Sequence, residues 1–323
     1  MLIWDKFRKN IIDNKLVVSG DKVLLAVSGG ADSIVMAHLF YRLTKVLAID
    51  TVIVNFNHCL RKESVKEAKL VENFAKEHKM DFVLKTFDTK KYAKENNVSV
   101  ETAGRQLRYI NLQEIAKQYK CNKIATAHNM NDNAETVLMW LARGTGTDGL
   151  TGIPSTRYIN SKLQIIRPLL PISREQIEEY TKTQNLKYCT DKSNFSFDYT
   201  RNKIRLKIIP NLKELNPSIV EHIYNLSSIV NNENKYFENK VNKFISKHIK
   251  RQSNKITVDI LPFKRTDDIL KFRILKEIIP DKKRAVHIKT VIDWVLNKES
   301  KEYELSKICT IKKNKKTFIF NIK

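Results

Sequence analysis

The segment VLLAVSGGADS at residues 23–33 decides the fold. Its first five residues form a short apolar run, which is typical of a buried β-strand. Gly29 and Gly30 follow after one serine, and a helical pattern of apolar residues begins at Ile34. Glycines allow backbone N–H groups to close around an anion, and the start of a helix adds partial positive charge. The segment therefore predicts a strand, a phosphate-binding loop and a helix.

The loop matches neither the GxxxxGK(S/T) phosphate loop nor the GxGxxG dinucleotide motif. A bare Gly-Gly pair has a second interpretation, a tight strand-to-helix turn with Asp32 or Ser33 as the helix cap. The full string SGGADS is longer than such a turn requires. We therefore expect Asp32 to lie beside the bound phosphate, where its carboxylate can hold Mg²⁺.

Strands and helices alternate through the first two thirds of the chain. Further strands are predicted at residues 51–57, 82–84 and 123–127, and helices at 61–79, 101–119 and 131–143. This alternation predicts an α/β fold, a parallel sheet with helices on both faces. Ligands bind such sheets at the carboxyl ends of the strands. Polar residues follow three of the predicted strands there: Ser28, the pair Asn57-His58, and His128.

The last third of the chain is different in composition. Every glycine lies at or before residue 152, whereas residues 201–323 carry 29 Lys and Arg against 13 Asp and Glu. Helices are predicted at 219–230, 236–249 and 266–279, and two short strands within 303–322. We predict a catalytic domain at residues 1–215 and a basic, mainly helical, RNA-binding domain at 216–323 that ends in a short β-hairpin.

Overall charge and cysteine placement restrict the class of protein. The chain has 59 Lys and Arg against 35 Asp and Glu, a net charge of +24, which favours a polyanionic partner. No apolar run approaches the ~20 residues of a membrane span, so we expect a cytoplasmic protein. The four cysteines (Cys59, Cys121, Cys189 and Cys309) form no CxxC pair, which argues against a zinc ribbon or a thioredoxin-like site. Whether the chain forms a homodimer is left open.

Polar side chains cluster after the strand at 123–127. His128 leaves the strand, and Asp132 and Glu135 share one face of the next helix. With the phosphate loop nearby, this cluster could bind Mg²⁺ and orient a nucleophile; a capped, solvated helix start is the alternative. The string LARGTGTDGLTGI at 141–153 then has four glycines in nine residues, which predicts a loop packed against a ligand or a mobile loop.

Arginines recur at spacings that suit phosphates. Arg105 and Arg108 lie one helical turn apart, and Arg201 and Arg205 follow Tyr199. Pairs of guanidinium groups bind phosphate, and an adjacent aromatic ring suits an unstacked base. Solvated arginines on surface helices are the alternative interpretation.

Together these strings resemble the tRNA(Ile)-lysidine synthetases, a subgroup of the PP-loop ATP pyrophosphatases. The matching strings are SGGADS (28–33), NHCLR (57–61), AGRQLRY (103–109), ATAHNMNDNAET (125–136), LARGTGTDGLTGI (141–153), RPLL (167–170), DKSN (191–194) and YTRNKIR (199–205). The resemblance covers about residues 20–212. Three positions depart from the family pattern, because Asn57, Asn131 and Ser196 stand where it usually has acidic residues.

The resemblance implies an ATP-dependent ligase. ATP adenylates C2 of cytidine 34 in the isoleucine tRNA with a CAU anticodon, and L-lysine displaces AMP to form lysidine, which changes the codon read from AUG to AUA. The implied catalytic residues are Asp32, Asp132 and Glu135, with Mg²⁺ on Asp32 and Asp132. The implied ATP-binding residues are Ser28, Gly29, Gly30, Ala31, Asp32, Ser33 and His128. The implied contacts to tRNA or substrate are His58, Arg61, Arg105, Arg108, Arg143, Arg201 and Arg205.

Two other functions remain as alternatives. A PP-loop tRNA thiolase would keep the phosphate loop, but such enzymes generally carry paired cysteines, and here only Cys59 lies near the predicted site. A non-catalytic RNA-binding protein would account for the charge but not for the glycine loop or the cluster of His128, Asp132 and Glu135.

Overall fold

The computed structural model describes residues 2–57, 64–190, 200–279, 285–297, 299–306 and 309–322. The chain forms two compact units, Met1–Ser228 and Ile229–Lys323. The predicted functional domains, 1–215 and 216–323, stay a prediction.

The first unit contains a six-stranded sheet in the order β3-β2-β1-β4-β6-β5. All neighbouring strands are parallel except the edge strand β5, which is antiparallel to β6. The strands are β1 (Lys22–Ala26), β2 (Asp50–Asn57), β3 (Asp81–Thr86), β4 (Lys123–Ala125), β5 (Thr156–Asn160) and β6 (Leu163–Ile166). The predicted α/β class and the four predicted strands are confirmed, whereas β5 and β6 were not predicted.

Helices alternate with these strands along the chain. They are α1 (Ile3–Asp13), α2 (Ala31–Leu43), α3 (Ser64–Glu77), α4 (Thr89–Glu95), α5 (Val100–Gln118), α6 (Met130–Arg143), α7 (Thr147–Leu150) and α8 (Arg174–Thr183). A last helical stretch has three parts: α9 (Thr200–Lys203), a π-helical turn (Ile204–Ile208) and α10 (Ile209–Leu215).

The sheet separates two apolar cores, because successive strand residues point to opposite faces. On β1, Val23 and Leu25 pack into the core that contains residues of α1, α2, α3 and α8. Leu24, between them, packs into a second core with Leu112 and Ile115 of α5. All three β1 side chains are fully buried. The apolar run thus fixes β1 in the middle of the sheet and places the loop after it at the carboxyl edge.

The second unit contains a five-stranded antiparallel sheet in the order β7-β8-β11-β10-β9. Its elements are β7 (Ile249–Gln252), β8 (Lys255–Asp259), α12 (Ile260–Arg265), α13 (Asp268–Ile278), α14 (Ala285–Asn297), β9 (Glu302–Ser306), β10 (Cys309–Lys313) and β11 (Thr317–Ile322). The predicted terminal hairpin is β10–β11, and it belongs to this larger sheet. No helix in the described ranges is both long and apolar enough to span a bilayer.

One helix, α11 (Ile219–His248), replaces the two helices predicted at 219–230 and 236–249. The stretch between the two predicted helices is rich in asparagine, which is a poor helix former. The stretch contains neither glycine nor proline. In addition, Asn234 is buried and accepts a hydrogen bond of 2.7 Å from Arg273 of α13. This tertiary contact compensates for the low local propensity.

Candidate active site

The predicted phosphate loop joins β1 to α2, with Gly30 as the residue preceding the helix. The hydroxyl of Ser33 holds the loop in shape. Its oxygen accepts hydrogen bonds from the backbone N–H groups of Ser28 (3.1 Å) and Gly29 (3.2 Å), and it donates to the Gly30 carbonyl (2.9 Å). Ser33 is therefore engaged with the loop itself.

Gly29 adopts a φ of +94°, a left-handed conformation that side chains with a Cβ rarely take. Its carbonyl oxygen accepts a 2.9 Å hydrogen bond from the backbone N–H of Cys189, which ties the loop to a distant segment. Among the residues that the structure describes, no side chain caps the start of α2. Because the first N–H groups of an α-helix have no partner within the helix, those of α2 can bind an anion.

Asp32 lies in the first turn of α2 and contacts Arg174, the first residue of α8, at 3.3 Å between Oδ2 and Nη2. Burial raises the pKa of the Asp32 carboxyl, the neighbouring Asp132 raises it further, and the charge of Arg174 opposes both. The carboxylate of Asp132 is thus close enough to disfavour the charge on Asp32. A cation between them would relieve this repulsion.

Asp132 and Glu135 project from the first turns of α6. Asp132 and Asn129 form a reciprocal cap at the helix start, with each side chain accepting from the other's backbone N–H at 3.0 Å. Glu135 is 1% exposed. The cap fixes one Asp132 oxygen on the backbone and leaves the other, Oδ1, directed at neighbouring side chains.

Two arginines neutralise these carboxylates. Nε of Arg201 and Nε of Arg205 each donate to Glu135 at 2.6 Å, one to each carboxylate oxygen. Asp132 Oδ1 accepts from the same guanidinium groups at 3.1 and 3.5 Å. Burial disfavours the charge on Arg205, but the hydrogen bonds that Arg205 donates to Glu135 and the nearby carboxylates outweigh burial and raise its pKa. The four groups form one ionic network, in which Glu135 is buried and the arginines are partly exposed.

The local helix geometry contributes to this network. Arg201 lies in α9, whereas Arg205 lies in the π-helical turn at 204–208. A π-helical turn contains an extra residue compared with an α-helical turn and is found most often at functional sites. Here it accompanies two arginines that approach the same glutamate from one helical stretch.

His128 follows β4 and precedes α6, as predicted from its position. Its pKa is lowered to about 4, first by burial and then by the charges of Arg167, Arg201 and Arg108, while Asp132 opposes the shift. Nδ1 lies 3.1 Å from the Thr126 hydroxyl. A neutral imidazole at pH 7 acts as a hydrogen-bonding group and not as a cation.

The departure at Asn131 has a structural explanation. Its side-chain oxygen accepts a 2.9 Å hydrogen bond from the backbone N–H of Arg174, so that α6 is joined to α8. An amide oxygen serves this purpose as well as a carboxylate does. Asn57 is buried at the end of β2. Ser196, the third departure, lies outside the described residues.

The glycine-rich segment at 141–153 contains the short helix α7, and its last glycine packs against an internal side chain. Gly152 has a φ of +65°, and a Cβ there would collide with the side chain of Asn133. Asn133 is buried, accepts from the Ile153 backbone at 2.7 Å and donates to Ser227 at 3.1 Å. This glycine is therefore required by an internal contact, whereas the prediction assigned the segment to ligand packing or mobility.

The remaining predicted residues lie at different distances from this centre. Arg105 and Arg108 lie on α5. Arg143 ends α6, and its guanidinium lies 5.9 Å from the Trp140 ring. His58 and Arg61 lie outside the described residues, as does the string DKSN.

Sequence reasoning missed Arg174 and three residues near the arginines of α5, namely Tyr109, Arg157 and Arg167. Arg157 lies on β5, and Arg167 directly follows β6. The rule that sites lie at the carboxyl ends of parallel strands would have selected Arg167 if β6 had been predicted. Arg174 follows the cap residue Ser173, a sequence signal for the start of a helix.

Comparisons with known proteins agree with this geometry. The PP-loop domain family model matches residues 5–212. Among curated proteins, a tRNA(Ile)-lysidine synthase from Petrotoga mobilis is 39% identical over 225 residues, covering 70% of this chain and 71% of the relative. The same name belongs to relatives from Thermosipho africanus (42% identical, 71% of this chain, 54% of the relative) and Clostridioides difficile (36%, 86% and 60%).

Among solved structures, a U34-tRNA thiolase from Methanococcus maripaludis shares the fold, with a TM-score of 0.60 at 21% identity over 71% of this chain and 78% of that one. The chain spans little more than half the length of several curated relatives that it matches. Three findings lead to one assignment. They are the phosphate loop, the site at the carboxyl edge of the sheet, and the identity to the Petrotoga protein over more than two thirds of both chains. The chain belongs to the tRNA(Ile)-lysidine synthase family of PP-loop proteins.

Proposed function

We propose that this chain ligates L-lysine to C2 of cytidine 34 in the isoleucine tRNA with a CAU anticodon, at the expense of ATP. One observation carries the proposal. The two carboxylates on α6, Asp132 and Glu135, bind two cationic side chains in the same unit as a phosphate loop. The charge of Asp132 also acts on Asp32, which lies in that loop's helix. This combination suits a reaction between a phosphate-activated substrate and an amine.

The first step uses the loop after β1. The base attacks the α-phosphorus of ATP through its C2 oxygen, and the bond to the β-phosphate breaks to release diphosphate. The uncapped N–H groups of α2 and the Arg174 guanidinium, 3.3 Å from Asp32, supply positive charge for the phosphates. Stabilising charge that develops on the leaving group lowers the barrier to this step.

Asp32 and Asp132 suit a divalent cation, since their charges repel each other and both belong to the site. Within the described ranges no three His, Cys, Asp or Glu side chains are grouped to hold a metal ion without other ligands. Mg²⁺ typically takes only one or two protein carboxylates and completes its shell with phosphate oxygens and water. Bound there with ATP, Mg²⁺ would supply charge neutralisation at the phosphates.

The second step uses the carboxylates of α6. Asp132 and Glu135 receive the lysine ε-ammonium in exchange for Arg201 or Arg205, and one carboxylate takes the proton that the amine must lose before it attacks. The nitrogen then bonds to C2, and AMP leaves. Because two guanidinium groups already occupy these oxygens, the carboxylate pair has the geometry to bind a cation by several hydrogen bonds.

The tRNA would bind through positive charge. Residues 201–323 have a large excess of Lys and Arg, and phosphate contacts of this kind weaken steeply as salt rises. A thiolase is the alternative, since the Methanococcus U34-tRNA thiolase, which shares the fold, was solved with its 4Fe-4S cluster. Against it, Cys121 and Cys309 are buried, and burial raises the pKa of Cys121 to about 11. Burial also raises the pKa of Cys189, so these thiols are poorly disposed to act as ligands or nucleophiles.

The test is incorporation of labelled L-lysine into purified isoleucine CAU tRNA with ATP and Mg²⁺. We expect transfer to cytidine 34 by the wild type and loss of transfer in Asp32→Ala, with tRNA affinity within a few-fold of wild type. Asp81→Ala is the matched control, because Asp81 is an exposed acid at the amino end of β3, at the opposite edge of the sheet.

Two outcomes would contradict the proposal. Release of AMP without lysine transfer would indicate the same activation chemistry with another nucleophile, sulfur first. Absence of both AMP and transfer, with tRNA binding intact, would indicate a binding protein.

A further inference from the structure

Four arginines and a tyrosine form a compact group outside the carboxylate network. This Arg–Tyr cluster consists of Arg105, Arg108, Tyr109, Arg157 and Arg167. The guanidinium of Arg157 lies 4.9 Å from the centre of the Tyr109 ring, and that of Arg105 lies 5.5 Å from it. Both distances are within the range of cation–π interactions. Tyr109 thus holds two arginines from separate elements, α5 and β5, beside each other.

No carboxylate among the described residues balances the positive charge of the cluster. In the part of the chain that the structure describes, no carboxylate forms an ion pair with any of its four arginines. Arg167 is 5% exposed, and its Nε is buried without a hydrogen-bond acceptor, although Nη1 donates to the Pro154 carbonyl at 2.6 Å. Burial lowers the pKa of Arg167, and the charges of Arg157 and Arg105 lower it further, while the electrostatic interaction and hydrogen bond with Tyr109 oppose the shift. Grouping like charges in this way is unfavourable unless an anion binds.

The cluster lies at the same edge of the sheet as the phosphate loop. Arg167 directly follows β6, and Arg157 pairs in register with Ile165 near the carboxyl end of that strand. The charges of Arg167 and Arg108 both act on His128. The cluster is therefore continuous with the candidate active site on its β4 side.

Its position separates it from the phosphate loop itself. β5 is three strands from β1 in the sheet order, which is about 14 Å at ~4.8 Å per strand. Arg105, Arg108 and Arg157 are exposed, so the cluster presents a positive surface to solvent. A phosphate chain that runs past the reacting base fits such a surface better than the triphosphate bound at the loop does.

We propose that the Arg–Tyr cluster binds backbone phosphates of the RNA substrate next to the reacting base, with Arg157 as its outermost contact and Tyr109 as the residue that positions Arg157 and Arg105. The proposal rests on the proposed function in one respect, that the substrate is an RNA. It assigns roles to Arg157, Arg167 and Tyr109, for which the sequence predicted none.

The experiment measures binding of an anticodon stem-loop RNA to the full chain by fluorescence anisotropy at 50, 100 and 200 mM KCl. Arg157→Gln should weaken binding about five-fold at 100 mM KCl. It should also reduce the slope of log affinity against log salt by ~0.7, the value for one contact to a single-stranded phosphate. Arg157→Lys keeps the charge and should retain most of the slope. Lys162→Gln is the control, because Lys162 is an exposed cation in the turn between β5 and β6.

Equal affinity and slope for Arg157→Gln and Lys162→Gln would overturn the proposal. A loss of ATP affinity in Arg157→Gln with RNA binding unchanged would also overturn it, since the cluster would then serve the nucleotide. Absence of RNA binding by the wild type would have the same consequence. Arg157-dependent RNA binding without lysine transfer by the wild type would instead reject the proposed function and support the cluster. Matching thermal midpoints for the three variants and wild type would show that each is folded.

Discussion

Replacement of Glu135 by glutamine tests whether the ionic network on α6 stabilises the first unit. Glutamine keeps the volume and one carbonyl oxygen, but it removes the charge and places an amide N–H₂ group against a guanidinium donor. The change disturbs two hydrogen bonds of 2.6 Å to a side chain that is 1% exposed. One of the two arginines would lose its acceptor oxygen, and both would lose the negative charge of Glu135.

The expected cost follows from the burial of each member. Removing one member of a buried ion pair typically costs ~3–5 kcal/mol. The arginines are 38% and 23% exposed, so water can solvate part of their released charge. We therefore expect Glu135→Gln to lower the free energy of unfolding by about 2–3 kcal/mol. For a unit of this size, such a loss lowers the unfolding midpoint by about 5–10 °C.

Differential scanning calorimetry of the variant beside wild type would measure this shift. Glu72→Gln is the matched control, since exposed Glu72 pairs with Lys69 at 3.0 Å and Lys76 at 2.6 Å on α3. Its midpoint should stay within about 1 °C of wild type. In a double-mutant cycle, Glu135→Gln and Arg205→Gln should couple by at least ~1 kcal/mol. A midpoint for Glu135→Gln no lower than that of the control, or additive effects in the cycle, would refute the reasoning.

Acidification should destabilise the protein, because burial lowers the pKa of His38 and of His128 to about 4. The unfolded chain binds these protons below about pH 6.5 and the folded chain only near pH 4, so each histidine should cost about 1 kcal/mol at pH 5.5. Calorimetry from pH 7.5 to 5.5 measures this loss, and an unchanged pH dependence in His38→Gln would count against it. Gly152→Ala should cost about 2–4 kcal/mol, because it strains a left-handed φ and displaces buried Asn133. Urea unfolding measures this cost. Gly20→Ala is the comparison variant, because Gly20 also has a positive φ but a Cβ there would meet open space. The difference between the two variants is therefore the cost of the collision alone. Asp32→Ala should abolish lysine transfer while thermal stability changes little, and a large fall in midpoint would make Asp32 a structural residue.

The sheet and the phosphate loop were predictable because their signals are local. The run at residues 23–27 is apolar throughout, and two glycines and an aspartate follow within five residues. Such signals depend on a few neighbouring side chains. The same holds for Asp132 and Glu135, which lie three residues apart on a predicted helix.

The partners of these residues were less predictable because they come from distant parts of the chain. Arg174 contacts Asp32 across 142 residues of sequence, and Arg205 contacts Glu135 across 70. Arg201 and Arg205 were predicted to bind RNA, and only the folded chain shows that they pair with carboxylates. Strands as short as β6, with four residues, carry too little periodicity to be identified from sequence.

The π-helical turn at 204–208 also indicates where this chain can change in length. A π-helical turn is equivalent to one residue inserted into an α-helix, so its loss by deletion would leave the flanking segments α9 and α10 helical and in phase. A deletion between Arg201 and Arg205 would shorten their spacing from four residues to three and misdirect one guanidinium. A deletion at residues 206–208 would leave that spacing intact. We therefore expect relatives that lack one residue in this stretch to have lost it after the second arginine.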